Sequence, residues 1–278
     1  MSESKKKTLI DYLQRHFLTL HWTDRTSGSD VPKHASGFLV EAHGGWFMVT
    51  AGHVLEDIET AKSRGQVLED FALCDCYGAK TTDKTYCMDF DFENAPKLPV
   101  HQQETGVDIG VICLRSYDRL RMEKAGNVEP LTENEWCVDP GREATGYCLV
   151  GIPAETIGKP KERNENLVTI PVRVLGYPVQ RIDDPGLPLR REEPMFYGRL
   201  VDDPKNPPVE RIEGMSGSPI FGVHQQEPGQ VIYWLVALQS YWHAPSRQIR
   251  GCLTAGRLSA FQSALADIAK KREAERQG

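Results

Sequence analysis

The chain has 278 residues, 40% of them hydrophobic and 26% charged, and its net charge at pH 7 is −6. This length is enough for one or two domains with a sizeable core. The acidic balance, without a long basic stripe, excludes the usual footprint of a nucleic-acid-binding protein. The longest fully apolar run, Val231 to Leu238, is too short to span a membrane. We therefore expect neither a nucleic-acid nor a membrane partner.

The first predicted element is an amphipathic helix over residues 5–22. Apolar side chains recur there at helical spacing, with Lys, Gln and Arg side chains opposite; they are Leu9, Leu13, Phe17 and Leu20. We expect this helix to pack on the domain, with docking to a regulatory protein partner as the alternative. Charged and polar residues interrupt the segment, so we expect no secretory signal and a cytoplasmic location.

From Ala35 onward the pattern changes to short strands separated by turns. The strand candidates are 36–41, 46–50, 67–75, 85–92, 106–114, 146–153, 168–175, 219–223, 231–240 and 251–255. A short helix is predicted over 54–63, a charged connection over 116–140 and a helix with a charged tail from Leu258 to the end. Many short strands with helices mainly at the ends indicate an all-β barrel or sandwich.

The cysteine content indicates reduced thiols and no disulfides, because the count is odd and the density low. The seven cysteines are Cys74, Cys76, Cys87, Cys113, Cys137, Cys148 and Cys252. One conceivable metal site consists of Cys74, Cys76, Cys87 and His101. The spacing of these residues fits no common zinc pattern. We therefore expect no metal and read these cysteines as small apolar core residues.

The stretch with the clearest chemical content is Gly214-Met215-Ser216-Gly217-Ser218-Pro219. Two glycines around one serine allow a tight turn, which can present the serine hydroxyl and nearby backbone N–H groups to one point. Acyl transfer needs this pairing of a nucleophile with donors for the developing oxyanion. The short motif alone is not specific, since Gly/Ser turns are common.

Two further residues complete a catalytic set. His53 and Asp108 also lie at strand ends or turns, where a rigid scaffold can present them. A histidine can take the serine proton and return it, while an acid fixes its tautomer and stabilises the imidazolium. The competing interpretations are a histidine that caps the following helix, an acid bonded to backbone N–H groups and an ordinary turn serine. Asp89 and Asp91 are alternative acids.

These motifs resemble those of the trypsin/chymotrypsin-like serine peptidases. Thr50-Ala51-Gly52-His53-Val54 is similar to the histidine motif of that family, Asp108-Ile109-Gly110-Val111 to its aspartate motif, and the Ser216 stretch to its serine motif. The chain order His, Asp, Ser is that of the family, whereas α/β-hydrolases have another order. The resemblance covers about residues 30–265 and makes an esterase with the same triad the weaker interpretation.

The resemblance implies a fold and a division of the chain. We expect an all-β protein of two six-stranded antiparallel β-barrels with N- and C-terminal helices. The implied divisions are 1–22 for the N-terminal helix, 23–125 for a first barrel with His53 and Asp108, 126–257 for a second barrel with Ser216, and 258–278 for the C-terminal helix and tail. The activity implied is that of a serine endopeptidase without a cofactor, acting on protein or peptide substrates.

The resemblance also implies roles for residues around the triad. The oxyanion hole is assigned to the Gly214–Met215–Ser216 turn, through the N–H groups of Gly214 and Ser216. Substrate is expected to pair with the strand that ends at Ser240. The substrate-pocket candidates are Glu210, Ser240, Tyr241, Trp242 and Gly251. An acid at position 210 favours Lys or Arg before the scissile bond, with a solvated surface glutamate as the alternative.

Three departures from the secreted members bear on compartment and control. Val54 and Ile212 stand where those members carry cysteines, which agrees with a reducing compartment. Met215 replaces the acid that receives a newly cut N-terminal amine, so activation by N-terminal insertion is not expected. The pattern is closer to that of bacterial and organellar peptidases. The alternative function is a latent or inactive peptidase-fold module that a partner switches on.

Overall fold

The structure is a computed structural model that describes residues 8–75, 86–102, 104, 106–136, 141–157, 161–164, 167–169, 173–183, 195–201, 212–227, 230–243 and 252–257. Two antiparallel sheets account for most of it, which confirms the all-β, two-barrel prediction. The helix predicted from residue 258 onward lies outside the described residues.

The first half of the chain forms one antiparallel sheet and three helices. Its elements are α1 (Leu9–Leu13), β1 (Phe17–Asp24), β2 (Val31–Ala42), β3 (Gly45–Thr50), α2 (Gly52–Ser63), β4 (Leu68–Asp75), β5 (Tyr86–Asp89), β6 (Lys97–Gln102), β7 (Val107–Leu114) and α3 (Ser116–Ala125). A 3₁₀ turn, Gln14–His16, joins α1 to β1. The strand order is β5-β4-β1-β2-β3-β7-β6. The sheet thus has seven strands, where six were predicted.

The second half forms a closed barrel. Its elements are α4 (Glu133–Trp136), β8 (Gly146–Gly151), a 3₁₀ turn (Ala154–Thr156), β9 (Lys161–Asn164), β10 (Leu167–Thr169), β11 (Leu175–Arg181), β12 (Met195–Leu200), β13 (Pro219–Glu227), β14 (Gln230–His243) and β15 (Cys252–Arg257). The barrel has six strands in the order β11-β12-β15-β14-β13-β8, as predicted for this half, and β9 pairs with β10 outside it. Closure pairs every strand of the barrel on both sides.

The N-terminal helix is shorter than predicted. The helical part ends by His16, and Phe17–Asp24 is strand β1, which pairs with β2 on one side and with β4 on the other. Phe17, Leu18 and Leu20 are fully buried, so both faces of this strand are covered. An apolar run buried on both faces fits a helical period as well as a strand period, and strand pairing decided between them.

The expectation of a disulfide-free chain is not confirmed. Cys74 and Cys87 lie directly opposite each other in β4 and β5, their Cα atoms are 4.1 Å apart, and their sulfurs form a disulfide. Directly opposed positions of antiparallel strands place their Cβ atoms close enough for this bond. The number and spacing of the cysteines do not reveal that register. Cys76, the third cysteine of the rejected metal set, lies outside the described residues.

The two halves share a continuous core. One buried cluster contains Phe17 and Val49 of the first sheet together with Val150, Phe221 and Leu238 of the barrel. This packing fixes the facing edges of the two halves relative to each other, because close-packed interiors resist small displacements. No helix in the described part of the chain is long and apolar enough to cross a membrane.

Candidate active site

A buried carboxylate holds one histidine in two places. Asp108 lies near the start of β7 with its side chain fully buried, and His53 lies in the first turn of α2. Asp108 Oδ1 accepts a hydrogen bond from the backbone N–H of His53 at 2.8 Å, and Asp108 Oδ2 lies 2.7 Å from His53 Nδ1. Both the backbone and the ring of His53 are thereby oriented by the same side chain.

The chain around His53 accounts for this geometry. β3 ends at Thr50 and α2 begins at Gly52, so His53 has one of the backbone N–H groups that a helix start leaves without an acceptor. A carboxylate is the preferred acceptor there, since its charge also complements the helix dipole. A side chain therefore does cap the start of α2, but it is Asp108 and not the His53 ring.

The turn that carries Ser216 is docked on the first sheet. Gly217 has φ +89°, and a Cβ atom there would lie 2.3 Å from the carbonyl oxygen of Ser36. Only glycine fits this contact. Ser36 also donates a hydrogen bond from Oγ to the carbonyl of Gly214 at 2.7 Å. Residues 36 and 214 belong to different halves, so this docking brings the serine turn to the histidine.

Two backbone N–H groups beside Ser216 are available. Among the described residues, neither Gly214 nor Ser216 donates its N–H to an acceptor, whereas Met215 donates to Ile212 at 3.0 Å. The Met215 N–H is therefore not available to an oxyanion. Of the three residues assigned to the oxyanion hole, only Gly214 and Ser216 have an N–H without an acceptor among the described residues. The structure places the Met215 side chain in the buried core of the barrel.

The orientation of one peptide plane keeps the Gly214 N–H available. The carbonyl of Glu213 accepts a hydrogen bond from Ala154 N–H at 2.7 Å. In a trans peptide the N–H points opposite to the carbonyl, so the Gly214 N–H is directed away from Ala154. Gly214 has φ +85°, the left-handed value that this turn requires. The carbonyl of Glu213 thus does not occupy the space next to Ser216.

His53 and Ser216 face the same cavity of about 440 Å³, which Gly214 also lines. Within the described part of the chain, no hydrogen bond joins Ser216 Oγ to the His53 ring. Catalytic hydrogen bonds are often long or poorly aligned before substrate binds. Asp89 and Asp91, the alternative acids, do not bond to His53: Asp91 instead accepts from Asn94 and Arg115.

The surroundings of His53 raise its pKa. Burial by itself lowers the pKa of the imidazole, but the hydrogen bond and negative charge of Asp108 act in the opposite direction, as do the charges of Asp57 and Glu56. Together these carboxylates outweigh burial, so the pKa of His53 lies above its usual value. A base with a pKa near neutrality is suited to receive and return a proton.

A second histidine, His101, lies next to His53 with ring centroids 5.8 Å apart, and the sequence suggested it only as part of the rejected metal set. His101 Nδ1 lies 3.0 Å from Glu56 Oε2, and His101 Nε2 lies 2.9 Å from the hydroxyl of Tyr241. The Tyr241 ring stacks on the His53 ring, with centroids 6.2 Å apart and planes 26° apart. A hydrogen-bonded relay thus runs from α2 through β6 to β14 and ends on the ring beside His53.

The structure describes three of the five residues that were predicted to line the substrate pocket. Ser240, Tyr241 and Trp242 lie in β14, which continues past the site. Ser240 is buried, and Trp242 packs against the core of the barrel. Glu210 and Gly251 lie outside the described residues, so the preference assigned to them stays a prediction.

Among the described residues, no group of three or more His, Cys, Asp or Glu side chains is arranged to hold a metal ion. Cys74 and Cys87 are joined to each other, and His101 is hydrogen-bonded to Glu56 and Tyr241. The side chains of the rejected metal set that the structure describes are thus engaged elsewhere.

Comparison with known proteins gave structural similarity only. No family model matches the chain, and no curated protein matches it. One similar solved structure is a thermostable serine protease, AL20, from an extremophilic microorganism, with 13% identity, a TM-score of 0.47 and coverage of 90% of this chain and 95% of that chain. Another is the protease Anisep from Arthrobacter nicotinovorans, with 14% identity, a TM-score of 0.48 and coverage of 92% and 96%.

Proposed function

We propose that the protein is a serine endopeptidase that hydrolyses peptide bonds through an acyl-enzyme. Ser216 is the nucleophile, His53 the general base and acid, and Asp108 the residue that orients His53. The observation that carries the proposal is the double hydrogen bond from His53 to the fully buried Asp108, with Ser216 lining the same cavity as His53.

In the first half of the reaction, Ser216 Oγ attacks the peptide carbonyl while His53 Nε2 takes its proton. The carbonyl oxygen becomes an oxyanion, which the N–H groups of Gly214 and Ser216 stabilise. Asp108 holds the proton on Nδ1 and stabilises the imidazolium. The imidazolium then protonates the leaving amine, the carbon–nitrogen bond breaks, and an ester of Ser216 remains.

In the second half of the reaction, water attacks the carbonyl carbon of this ester while His53 takes a proton from the water. Collapse of the second oxyanion breaks the bond to Ser216 Oγ, which recovers the proton from His53. The acyl side of the substrate extends along β14 from Ser240 onward, past Gln239, whose backbone N–H and carbonyl already bond to Ser218 and Gly217. Strand addition there supplies main-chain hydrogen bonds.

The alternative function, a latent module that a partner switches on, predicts an oxyanion hole blocked in the free protein. The hydrogen bond from Ala154 N–H to the Glu213 carbonyl favours the active enzyme instead, because it leaves the Gly214 N–H directed away from Ala154. The free chain is therefore proposed to cleave without a regulatory protein.

Cleavage of a denatured protein such as casein tests the proposal. We expect the purified chain to generate new N-termini that mass spectrometry detects, and a folded Ser216→Ala variant to generate none. Equal cleavage by both proteins contradicts the nucleophile assignment. Cleavage only after addition of a cell extract supports the latent alternative.

A further inference from the structure

The cavity in front of Ser216 extends away from the strand proposed to bind the acyl side of the substrate. Apart from Gly214 and Ser216, the described residues that line it come from β1, β2, α2, β4 and the loop before β4, and none comes from β14. An extended peptide that lies along β14 on one side of Ser216 must leave on the other side. The part of the substrate beyond the scissile bond therefore enters this cavity.

One wall of the cavity is a single face of α2. Val54, Asp57, Ile58 and Ala61 line it at spacings of three and four residues, as one side of a helix does. Three of these side chains are apolar, and the fourth is an exposed carboxylate one turn after His53. The wall thus offers an aliphatic surface with one negative charge.

Two more apolar side chains line the cavity from outside α2. They are Trp22 of β1 and Leu68 of β4, and both are half-buried. Against these apolar side chains, a substrate side chain with several methylene groups removes more apolar surface from water than a short polar one does. A long side chain with a charged end can place its stem on such an apolar surface and its end at the rim.

The charged side chains that line the cavity carry more negative than positive charge. The cavity is lined by two carboxylates, Asp24 and Asp57, and among its described residues by one cation, Lys33. Asp24 already accepts the N–H of Thr26 at 2.9 Å, and the charge of Lys33 acts on Asp24. Asp57 has no ion pair or hydrogen bond within the described residues. It is the carboxylate that a substrate cation can pair with.

We infer that this cavity binds the substrate residue that follows the scissile bond, and that Asp57 makes the enzyme prefer Lys or Arg at that position. The inference depends on the proposed peptidase function for its role in turnover, but the binding site itself does not need the chemistry. Asp57 is a specificity-determining residue in this assignment, and it acts on the departing half of the substrate.

The test uses quenched fluorescent peptides that are identical except for Lys, Arg, Gln or Glu after the scissile bond. We expect kcat/KM for Lys or Arg to exceed that for Glu by about tenfold, the range of one exposed charge pair formed against one repelled. Asp57→Asn reduces this ratio to about threefold or less, and Asp57→Lys reverses it. The ratio is internal to each variant, so partial unfolding does not imitate the effect.

The matched control is Glu56→Gln, which removes the neighbouring carboxylate. Glu56 also raises the pKa of His53 but does not line the cavity. Its loss is expected to change activity on all four peptides in parallel, with the Lys-to-Glu ratio retained. If Asp57→Asn and Asp57→Lys keep the wild-type ratio, or if the wild type shows no preference, the inference is wrong.

Binding separates this inference from the proposed function. The tripeptide amides Lys-Ala-Ala and Glu-Ala-Ala are titrated into Ser216→Ala and into the same variant with Asp57→Lys, with chemical shifts as the readout. The site is supported if Ser216→Ala binds the Lys peptide more tightly than the Glu peptide and Asp57→Lys reverses this order. That result supports the site even if the wild type cleaves nothing and the peptidase proposal fails. If the wild type cleaves peptides but neither binding nor kcat/KM distinguishes Lys from Glu, the peptidase proposal stands and the proposed binding site is wrong.

Discussion

Asp108 accepts two hydrogen bonds from the same residue, one from the backbone N–H of His53 at 2.8 Å and one from its ring at 2.7 Å. Because the acid is fully buried and lies in β7, the start of α2 and the imidazole move as one unit with the first sheet. Ser216 comes from the other half of the chain and meets this unit through the contacts of its own turn.

Replacement of the buried acid tests this relationship. Asp108→Asn keeps the shape but presents an amide N–H to His53 Nδ1, which favours the wrong tautomer, so we expect kcat to fall by about 10⁴-fold. Asp118→Asn is the control, since Asp118 of α3 is also buried but accepts hydrogen bonds from Arg115, the residue before that helix. It is expected to lower stability by about 1 kcal/mol and to leave kcat unchanged. Equal losses in both variants would mean that Asp108 only supports the fold.

The pH profile of kcat/KM reports the raised pKa of His53. The base must be neutral to act, so activity increases as pH rises through this pKa, above the ordinary value of about 6.5. Removal of a neighbouring negative charge destabilises the imidazolium and lowers the pKa. Glu56→Gln is therefore expected to move the acidic limb to lower pH. If the acidic limb of the Glu56→Gln profile stays in place or moves to higher pH, the electrostatic account is wrong.

The hydroxyl of Tyr241 is expected to position its ring for substrate. Tyr241→Phe keeps the ring on His53 but removes the hydrogen bond to His101, and the loss of one such bond predicts a KM about three- to tenfold higher. Tyr233→Phe is the matched control in the same strand, because its hydroxyl bonds to His16 instead. The control should change stability and leave KM alone. A KM effect of the same size in both variants counts against the relay.

Residue 215, directly before the proposed nucleophile, lies in an apolar environment. Met215 is fully buried in the barrel core, and Met215→Asp places an unpaired charge there, which is expected to cost about 3 kcal/mol or more in the free energy of unfolding. Met215→Leu conserves volume and should cost less than about 1.5 kcal/mol. Urea denaturation measures both. A tolerated aspartate would reveal a cation that reaches this position, as in enzymes activated by a new N-terminus.

Stability should fall in mild acid through His21, a half-buried histidine outside the proposed triad. Burial lowers the pKa of His21 to about 4, and the nearby His34 contributes to the shift. The unfolded chain then binds a proton between pH 6.5 and 4 that the folded chain does not, so this contribution is complete above pH 6.5 and is lost as pH falls towards 4. Its size is up to about 3 kcal/mol. His21→Leu should flatten the curve of stability against pH in that range.

The sequence reveals the site better than its surroundings. His53, Asp108 and Ser216 each follow from a short local pattern of strand end, turn and residue type, so their contexts are visible along the chain. The catalytic role of each stays a prediction. The sequence predicts only in part which N–H groups of the proposed oxyanion hole lack an acceptor, because the hydrogen bond of the Met215 N–H depends on how the turn closes on Ile212.

Other features depend on pairings between distant residues. His101 gains its place from Glu56 and Tyr241, which lie 45 and 140 residues away. The disulfide depends on the register of β4 with β5, and β1 is a strand because β2 and β4 cover both of its edges. Local propensity cannot supply these contacts, since tertiary pairing overrides it.

Covalent labelling with a fluorophosphonate probe is the most direct test of the central claim, because the probe reacts with a serine only where a base activates it and donors stabilise the adduct. The account predicts that the wild type is labelled, that peptide mapping places the label on Ser216, and that Ser216→Ala and His53→Ala are not labelled. Labelling that persists in Ser216→Ala, or a folded wild type that never reacts, would contradict it.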